Sequence, residues 1–255
     1  MGAQSRWLIA KWSRSGKSRC TAVSVPRFVA TPSSSCACAP PCRVDEIIQQ
    51  AAEQDVSFLV IGDAFGATTH TDLQLRAQSQ GVQVSVVHNA SIMNAIGCCG
   101  LQLYNYGQAV SICFFRGPGT LWPDEPSWRP SSFYEKVAAN RQLGLHTLCL
   151  LDIKVKEPNM EQLARGRKVY EEPRYMTVNT CIEQMLEVEE EKRAGGGGGA
   201  YGEDTLCIGL AKIGCSGQRI VSGTMKQVRP VSIRCRSVMR CVIGFCMSTA
   251  VFSCR

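Results

Sequence analysis

Two short apolar runs, each ending in a polar loop, constrain the fold of this chain more than any other feature. Val56-Ser-Phe-Leu-Val-Ile61 passes into Gly62-Asp-Ala-Phe-Gly-Ala-Thr-Thr-His70, and Val82-Gln-Val-Ser-Val-Val-His88 passes into Asn89-Ala-Ser-Ile-Met-Asn-Ala-Ile-Gly97. Apolar runs of this length, closed by Gly, Asp, Asn and Ser, predict buried parallel strands with loops at their carboxyl ends. Between them Leu73, Leu75 and Ala77 predict a helix, capped by Thr71 and stopped at Gly81. Strand, helix and strand at this spacing predict a right-handed βαβ unit on a parallel sheet. In open α/β sheets the carboxyl edge is where small ligands sit, so these loops are the first candidates for a site.

The net charge of +7 hides a division along the chain. Residues 1–43 and 215–255 each carry seven Lys or Arg and no acid, whereas 44–214 carry 14 basic against 21 acidic residues, a net of −7. A mildly acidic body thus lies between two basic ends, and the basic balance says little about what the body binds. Nothing in it points to a nucleic-acid or membrane partner. The apolar tail run 241–252 is too short to cross a bilayer core of roughly 30 Å as a helix. Cys113, Cys149 and Cys207 lie inside apolar runs, where a thiol acts as a small hydrophobe. With no signal-peptide pattern in the head, a reducing, cytoplasmic location is expected rather than a disulfide framework.

Residues 1–43 are rich in Ser, Arg, Pro and Cys without sustained periodicity. Three readings stand: a disordered head outside the fold, an organelle transit segment, or a metal clip at Cys36, Cys38 and Cys42. The last lacks a partnering His or Cys pair nearby. From Val44 helical spacing begins, with Asp45 and Glu46 suited to the positive end of a helix dipole. Residues 108–115, 146–154 and 205–213 read as strands. Ser132 with Glu135, Asn159 with Gln162, and Thr180 with Glu183 have the spacing of helix-capping pairs. The acidic run 187–191 reads as a solvated helix end, and the pentaglycine 195–199 as a flexible surface loop.

His70 and His88 each follow an apolar strand, but with no ligand-spaced Cys or carboxylate they read as hydrogen-bonding residues. No nucleophile elbow, phosphate-binding loop or zinc-protease motif is present. The Gly-Asp-x-x-Gly loop at 62–66 suits ligand binding, because glycines admit close backbone approach and Asp63 can accept hydrogen bonds or neutralise a cation.

Gly62–His70, His88–Tyr104, His146–Lys154, Gly166–Tyr170, Pro173–Met176 and Cys207–Gly214 together resemble the eukaryotic diphthine methyl ester synthases. The resemblance runs from about Val44 to Lys226. It implies a tetrapyrrole-methylase-like α/β fold of two domains, with S-adenosylmethionine bound between them and no metal. It implies methylation, in successive steps, of a modified histidine of translation elongation factor 2 on the path to diphthamide, and a homodimer. The cofactor-binding positions it carries over are Asp63, Gly66, Ser91 and Ile92 in the first domain, and Leu151 and Ile213 in the second. It assigns no catalytic base.

The chain also departs from that pattern. The family's glycine-rich first strand has no counterpart in 1–43, Ala64 stands where the family has Pro, the loop 116–127 is longer, and the tail after Lys226 does not match. The expected organisation is a non-matching basic head over 1–43 and an N-terminal cofactor domain over 44–107 that lacks its first strand. A C-terminal α/β domain over 108–226 and a basic, Cys-rich tail over 227–255 follow. A chain built this way is either a working methyltransferase or a truncated, inactive form with impaired cofactor binding.

Overall fold

The computed structural model describes residues 8–13, 28–30, 41–60, 62–155, 157–231 and 242–245. They fall into two compact units, Met1–Ala95 and Ile96–Arg255. The division lies ahead of the 107/108 boundary expected from sequence because residues 105–107 pair within the second unit. There His146 N–H donates to the Asn105 carbonyl at 2.7 Å, and Gly107 N–H to the His146 carbonyl at 2.9 Å.

The first unit contains β1 (Leu8–Ser13), β2 (Phe28–Ala30), α1 (Pro41–Glu53), β3 (Val56–Val60), α2 (His70–Ser79), β4 (Gln83–Ser85) and the short α3 (Ile92–Ala95). Helix α1 opens on Pro41, a residue whose missing N–H costs nothing in a first turn. Asp45 and Glu46 therefore sit one turn further in than the dipole argument places them. All five residues of β3 are buried, as a strand covered on both faces requires. Its Val56, Phe58 and Val60 form one apolar cluster with Ile48, Ala51, Leu73 and Ala77. Thr69, not Thr71, precedes α2, and it makes no side-chain cap. Gly81 ends the helix at φ +73, so that Val82 N–H returns to the Ala77 carbonyl at 3.0 Å.

The order of this sheet is β2-β3-β1-β4. Strands β3 and β4 are parallel to each other, as the βαβ reading requires, but they do not touch. The slot expected to be empty is filled by β1, which runs antiparallel to both, with Leu8 opposite Val60 and Ser13 opposite Gln83. The expectation of a disordered head is thus corrected for 8–13 and 28–30, the latter pairing parallel to β3. A buried strand such as β3 needs partners for its backbone groups, and the head supplies them on both sides. Strand β1 (LIAKWS) has no glycine, so it is not the family's first strand restored. The Cys36 and Cys38 part of the suggested metal clip lies outside the described residues.

The second unit contains β5 (Val110–Ile112), α4 (Ser132–Gln142), β6 (Thr147–Leu151), β7 (Ile153–Lys154), α5 (Met160–Ala164), β8 (Arg174–Tyr175) and α6 (Val178–Ala194). It continues with β9 (Leu206–Ala211), β10 (Arg219–Thr224), α7 (Met225–Val228) and β11 (Val242–Phe245). Its main sheet has the order β10-β9-β11-β6-β5. Strand β11, from the tail expected to stand apart, runs antiparallel between β6 and β9, with Val242 opposite both Leu150 and Leu210. One apolar cluster joins Ile112, Phe133, Leu151, Ile182, Met185 and Met225.

Capping followed the expected residues only in part. Asn159 caps α5, its Oδ1 accepting from Gln162 N–H at 3.0 Å. Helix α6 is capped instead by Thr177, whose Oγ1 accepts from Thr180 N–H at 3.1 Å, and Ser131 precedes α4 without a side-chain cap. The acidic run differs most. Glu189 is 2% exposed and not solvated. Its carboxylate accepts from Tyr134 Oη, Arg193 Nε, Gly199 N–H and Tyr201 N–H, so it clasps the pentaglycine loop rather than facing water. Burial pushes its pKa up, but these donors outweigh that and hold it below the usual value. Cys149, Cys181 and Cys207 are free thiols, and burial pushes all three up, the last to about 12.

Candidate functional site

The loops that follow β3 and β4 are tied together by backbone and carboxylate bonds. Gly62 takes φ +86, where any β-carbon would stand 3.2 Å from the Ala90 carbonyl oxygen. The next residue, Asp63, donates its N–H to that same carbonyl at 3.0 Å. Its side chain then reaches both loops. Oδ1 accepts from Phe65 N–H at 2.8 Å, and Oδ2 accepts from Asn89 N–H at 3.0 Å and from His88 Nδ1–H at 2.9 Å. With its side chain 12% exposed, Asp63 is nearly covered, while the His88 side chain is 72% exposed.

These donors lower the Asp63 pKa from 3.8 to about 2, the Phe65 amide contributing most, then the Asn89 amide and the His88 ring. The group is a carboxylate at any physiological pH. A carboxylate offers about four acceptor positions, and the three bonds found among the described residues leave room for one more donor.

Gly66 packs against the second loop. A β-carbon there would stand 2.6 Å from Ser91 Oγ. Ser91 in turn starts α3: its Oγ accepts from Met93 N–H at 3.2 Å and its carbonyl from Ala95 N–H at 2.9 Å. Ile92, half-buried, is the first residue of that helix. The structure therefore brings Asp63, Gly66 and Ser91 into one arrangement, with Ile92 next in the chain. His70 is occupied elsewhere, its Nδ1–H donating to the Ala64 carbonyl at 2.8 Å and its ring meeting Phe58 edge-on. Ala64 itself is buried at the position where a proline was expected.

In the second unit, β5, β6 and β9 end on the same edge of the sheet, since β5 is parallel to β6 and both β6 and β9 are antiparallel to β11. Leu151 closes β6 and is buried. Ile213, half-buried, lies in the loop after β9, next to Lys212 at φ +55. With β11 between them, strands β6 and β9 stand roughly two strand spacings apart, on the order of 10 Å. Beside Leu151, Asp152 Oδ2 accepts from Phe114 N–H at 3.2 Å and lies 3.7 Å from Lys154 Nζ.

Sequence reasoning passed over both Asp152 and the pairing of His88 with Asp63. The signal for Asp152 was present, an acid directly after a buried strand, as at Asp63. His88 was legible as a hydrogen-bonding residue but its partner, 25 residues away, was not. Among the described residues no group of His, Cys, Asp and Glu is placed to hold a metal, and no helix is long and apolar enough to cross a membrane.

This geometry has known counterparts. The family model for tetrapyrrole (corrin/porphyrin) methylases matches residues 26–229. The diphthine methyl ester synthase of Dictyostelium discoideum is 54% identical over 187 residues, covering 73% of this chain and 64% of that protein. The Homo sapiens protein of the same name is 54% identical over 191 residues, covering 75% and 64%. A solved structure from Entamoeba histolytica, named for diphthine synthase, superposes with a TM-score of 0.64 at 44% identity, covering 81% of this chain and 71% of that one. The chain thus spans just under two thirds of the length of the curated relatives it matches. By the family match over most of its length and by the shared fold, this chain belongs to the tetrapyrrole (corrin/porphyrin) methylases, among the members that resemble diphthine synthases.

Proposed function

We propose that the chain is an S-adenosylmethionine-dependent methyltransferase that methylates the modified histidine of translation elongation factor 2, successive transfers giving diphthine methyl ester on the path to diphthamide. The observation that carries this reading is the Asp63 arrangement: a carboxylate ionised at physiological pH and held by Phe65, Asn89 and His88, with one acceptor position left, beside the close Gly66–Ser91 contact. The relatives' names supply the chemistry to which such a site is put.

The residues present fit the cofactor. In this reading Asp63 accepts a hydroxyl or ammonium donor from it, and Gly66, Ser91 and Ile92 line it with backbone and small side chains. The family resemblance adds Leu151 and Ile213 as apolar contacts to the cofactor. When bound, S-adenosylmethionine supplies an already activated methyl group. The protein's own tasks are then to align donor and acceptor and to exclude water, for which backbone groups and apolar walls suffice. An amine acceptor must also give up its proton, and no residue of the chain is assigned to that step. The reading takes with it a cytoplasmic location, a homodimer, no metal, and no nucleic-acid or membrane partner.

Calorimetric titration of the full chain with S-adenosylmethionine tests the cofactor. Heat of binding, abolished by Asp63→Asn, is expected. A cooperatively folded chain that gives no heat would overturn the cofactor assignment. Transfer of labelled methyl groups to elongation factor 2 from cells lacking this step tests the acceptor.

A further inference from the structure

A protrusion of the second unit carries a surface that the site itself does not use. Strands β7 and β8 pair antiparallel, with Ile153 opposite Tyr175 and Lys154 opposite Arg174. The chain between them leaves and returns as one closed excursion. Pro158 bridges Tyr170, Glu171 N–H donates to the Glu157 carbonyl at 2.8 Å, and Asn159 N–H to the Val169 carbonyl at 2.9 Å. Inside it lies α5, capped by Asn159, and Arg167 N–H folds back to the Gln162 carbonyl at 2.8 Å across Gly166 at φ +75. Backbone bonds, the Asn159 cap and the Lys154–Glu157 and Arg174–Glu171 pairs at its base fix this excursion, and the side chains of 163–170 make none of these bonds.

Those side chains face outward. Every residue from 163 to 170 is exposed. Leu163, Val169 and Tyr170 are 42%, 46% and 57% exposed, and Arg165, Arg167 and Lys168 stand among them with no acid in the stretch. Several cations elsewhere in the unit are paired with acids: Arg116 with Glu125, Arg174 with Glu171, Lys192 with Glu135 and Arg193 with Glu189. Among the described residues no carboxylate forms an ion pair with Arg165, Arg167 or Lys168. A rigid loop that presents unpaired cations beside uncovered apolar groups has the composition of a recognition surface: apolar contacts for affinity, charge for steering and register.

We infer that this protrusion docks the protein acceptor through an acidic patch that borders apolar side chains on the acceptor's surface. The inference rests on the reading above that the acceptor is a protein. A nucleic acid is the less suited occupant, because a phosphate backbone would leave the exposed Leu163 and Val169 beside the cations uncovered. A protein surface with apolar side chains next to its acids covers both.

The test compares the full chain with two variants, R165A/R167A/K168A and Tyr170→Ser, in methyl transfer to elongation factor 2. The substituted side chains are exposed and the excursion is held by backbone bonds, so both variants should keep the parent's melting temperature and cofactor affinity. For the triple variant KM for the acceptor should rise about tenfold with kcat within about twofold, and the salt dependence of KM should weaken. For Tyr170→Ser KM should rise without a change in salt dependence. Unchanged KM in both variants overturns the docking surface and leaves the methyltransferase reading standing. A KM difference that vanishes when the acceptor is treated with nuclease also overturns it, in favour of nucleic acid. Cofactor binding by the parent chain with no transfer to elongation factor 2 overturns the proposed substrate and this docking assignment together.

Discussion

Gly66 and Ser91 approach so closely that a β-carbon on Gly66 would stand 2.6 Å from Ser91 Oγ and 3.1 Å from Ser91 Cβ. The backbone of Gly66 is not in the left-handed region, so the requirement for glycine here is one of space. Gly66→Ala should force the hydroxyl off Met93 N–H and part the two loops, at about 1–3 kcal/mol. A melting temperature lowered by several degrees, with weaker binding of S-adenosylmethionine, is the expected result. The compensating G66A/S91G variant should recover most of the stability, which a thermal melt of the three proteins would show.

Asp63 holds two loops with one carboxylate, so Asp63→Asn replaces an acceptor by an amide that must turn its NH2 toward a donor. The substitution should cost about 1–3 kcal/mol of stability and more than tenfold in cofactor affinity. Denaturant melts and calorimetry on the same preparation check both effects. Loss of affinity without loss of stability would separate ligand binding from loop bracing.

The same residue sets a pH dependence. Its pKa is depressed in the folded state, from 3.8 to about 2, so its contribution to stability is complete above 3.8 and is lost as pH falls toward 2. The stability difference between the parent chain and D63N should therefore be constant from pH 7 down to about 5 and shrink between about 4 and 2. A difference that stays constant to pH 2 would show that the Phe65, Asn89 and His88 donors do not favour the charged form.

Glu189 is 2% exposed and takes four donors, two of them from the glycine-rich loop. Glu189→Ala leaves those donors unmatched in a buried place and should cost about 3–5 kcal/mol. Limited proteolysis should then cut within 195–201 faster than in the parent chain. Equal cleavage rates would mean that the loop is held by something other than this carboxylate.

The thiols should divide by burial. Cys98 and Cys215 are exposed, whereas Cys149, Cys181 and Cys207 are buried and disfavour the thiolate. Brief alkylation of the native protein followed by peptide mass spectrometry should label Cys98 and spare Cys149, Cys181 and Cys207 until denaturant is added.

Much of the candidate site was legible in the sequence. The strand-loop boundary near Gly62, the burial of β3 and β6, and the cap at Asn159 all follow from short stretches of chain, whereas β4 ends at Ser85, short of the expected His88, and is largely exposed. Burial of Cys149 and Cys207 followed from their apolar neighbours in the same way. The capping residues at Thr69, Ser131 and Thr177 were misplaced by one to three residues, because several hydroxyls stand together there and only the backbone path selects among them.

What the sequence determined by itself is local: apolar period and length decide strand or helix, and turn chemistry decides where loops begin. From these came the two candidate loops; the family came from the resemblance of whole motifs, Gly62–His70 and His88–Tyr104 among them. What the tertiary structure decided is which distant groups meet. It placed Leu8–Ser13 and Val242–Phe245 in the middle of the two sheets, though neither segment carries a pattern that names its partner. It also turned Glu189 inward and set His88 and Asn89 on Asp63. Strand pairing and the satisfaction of buried polar groups depend on three-dimensional neighbours, and any unpaired backbone or carboxylate of suitable geometry can be the partner. A single chain read in order carries no record of that choice.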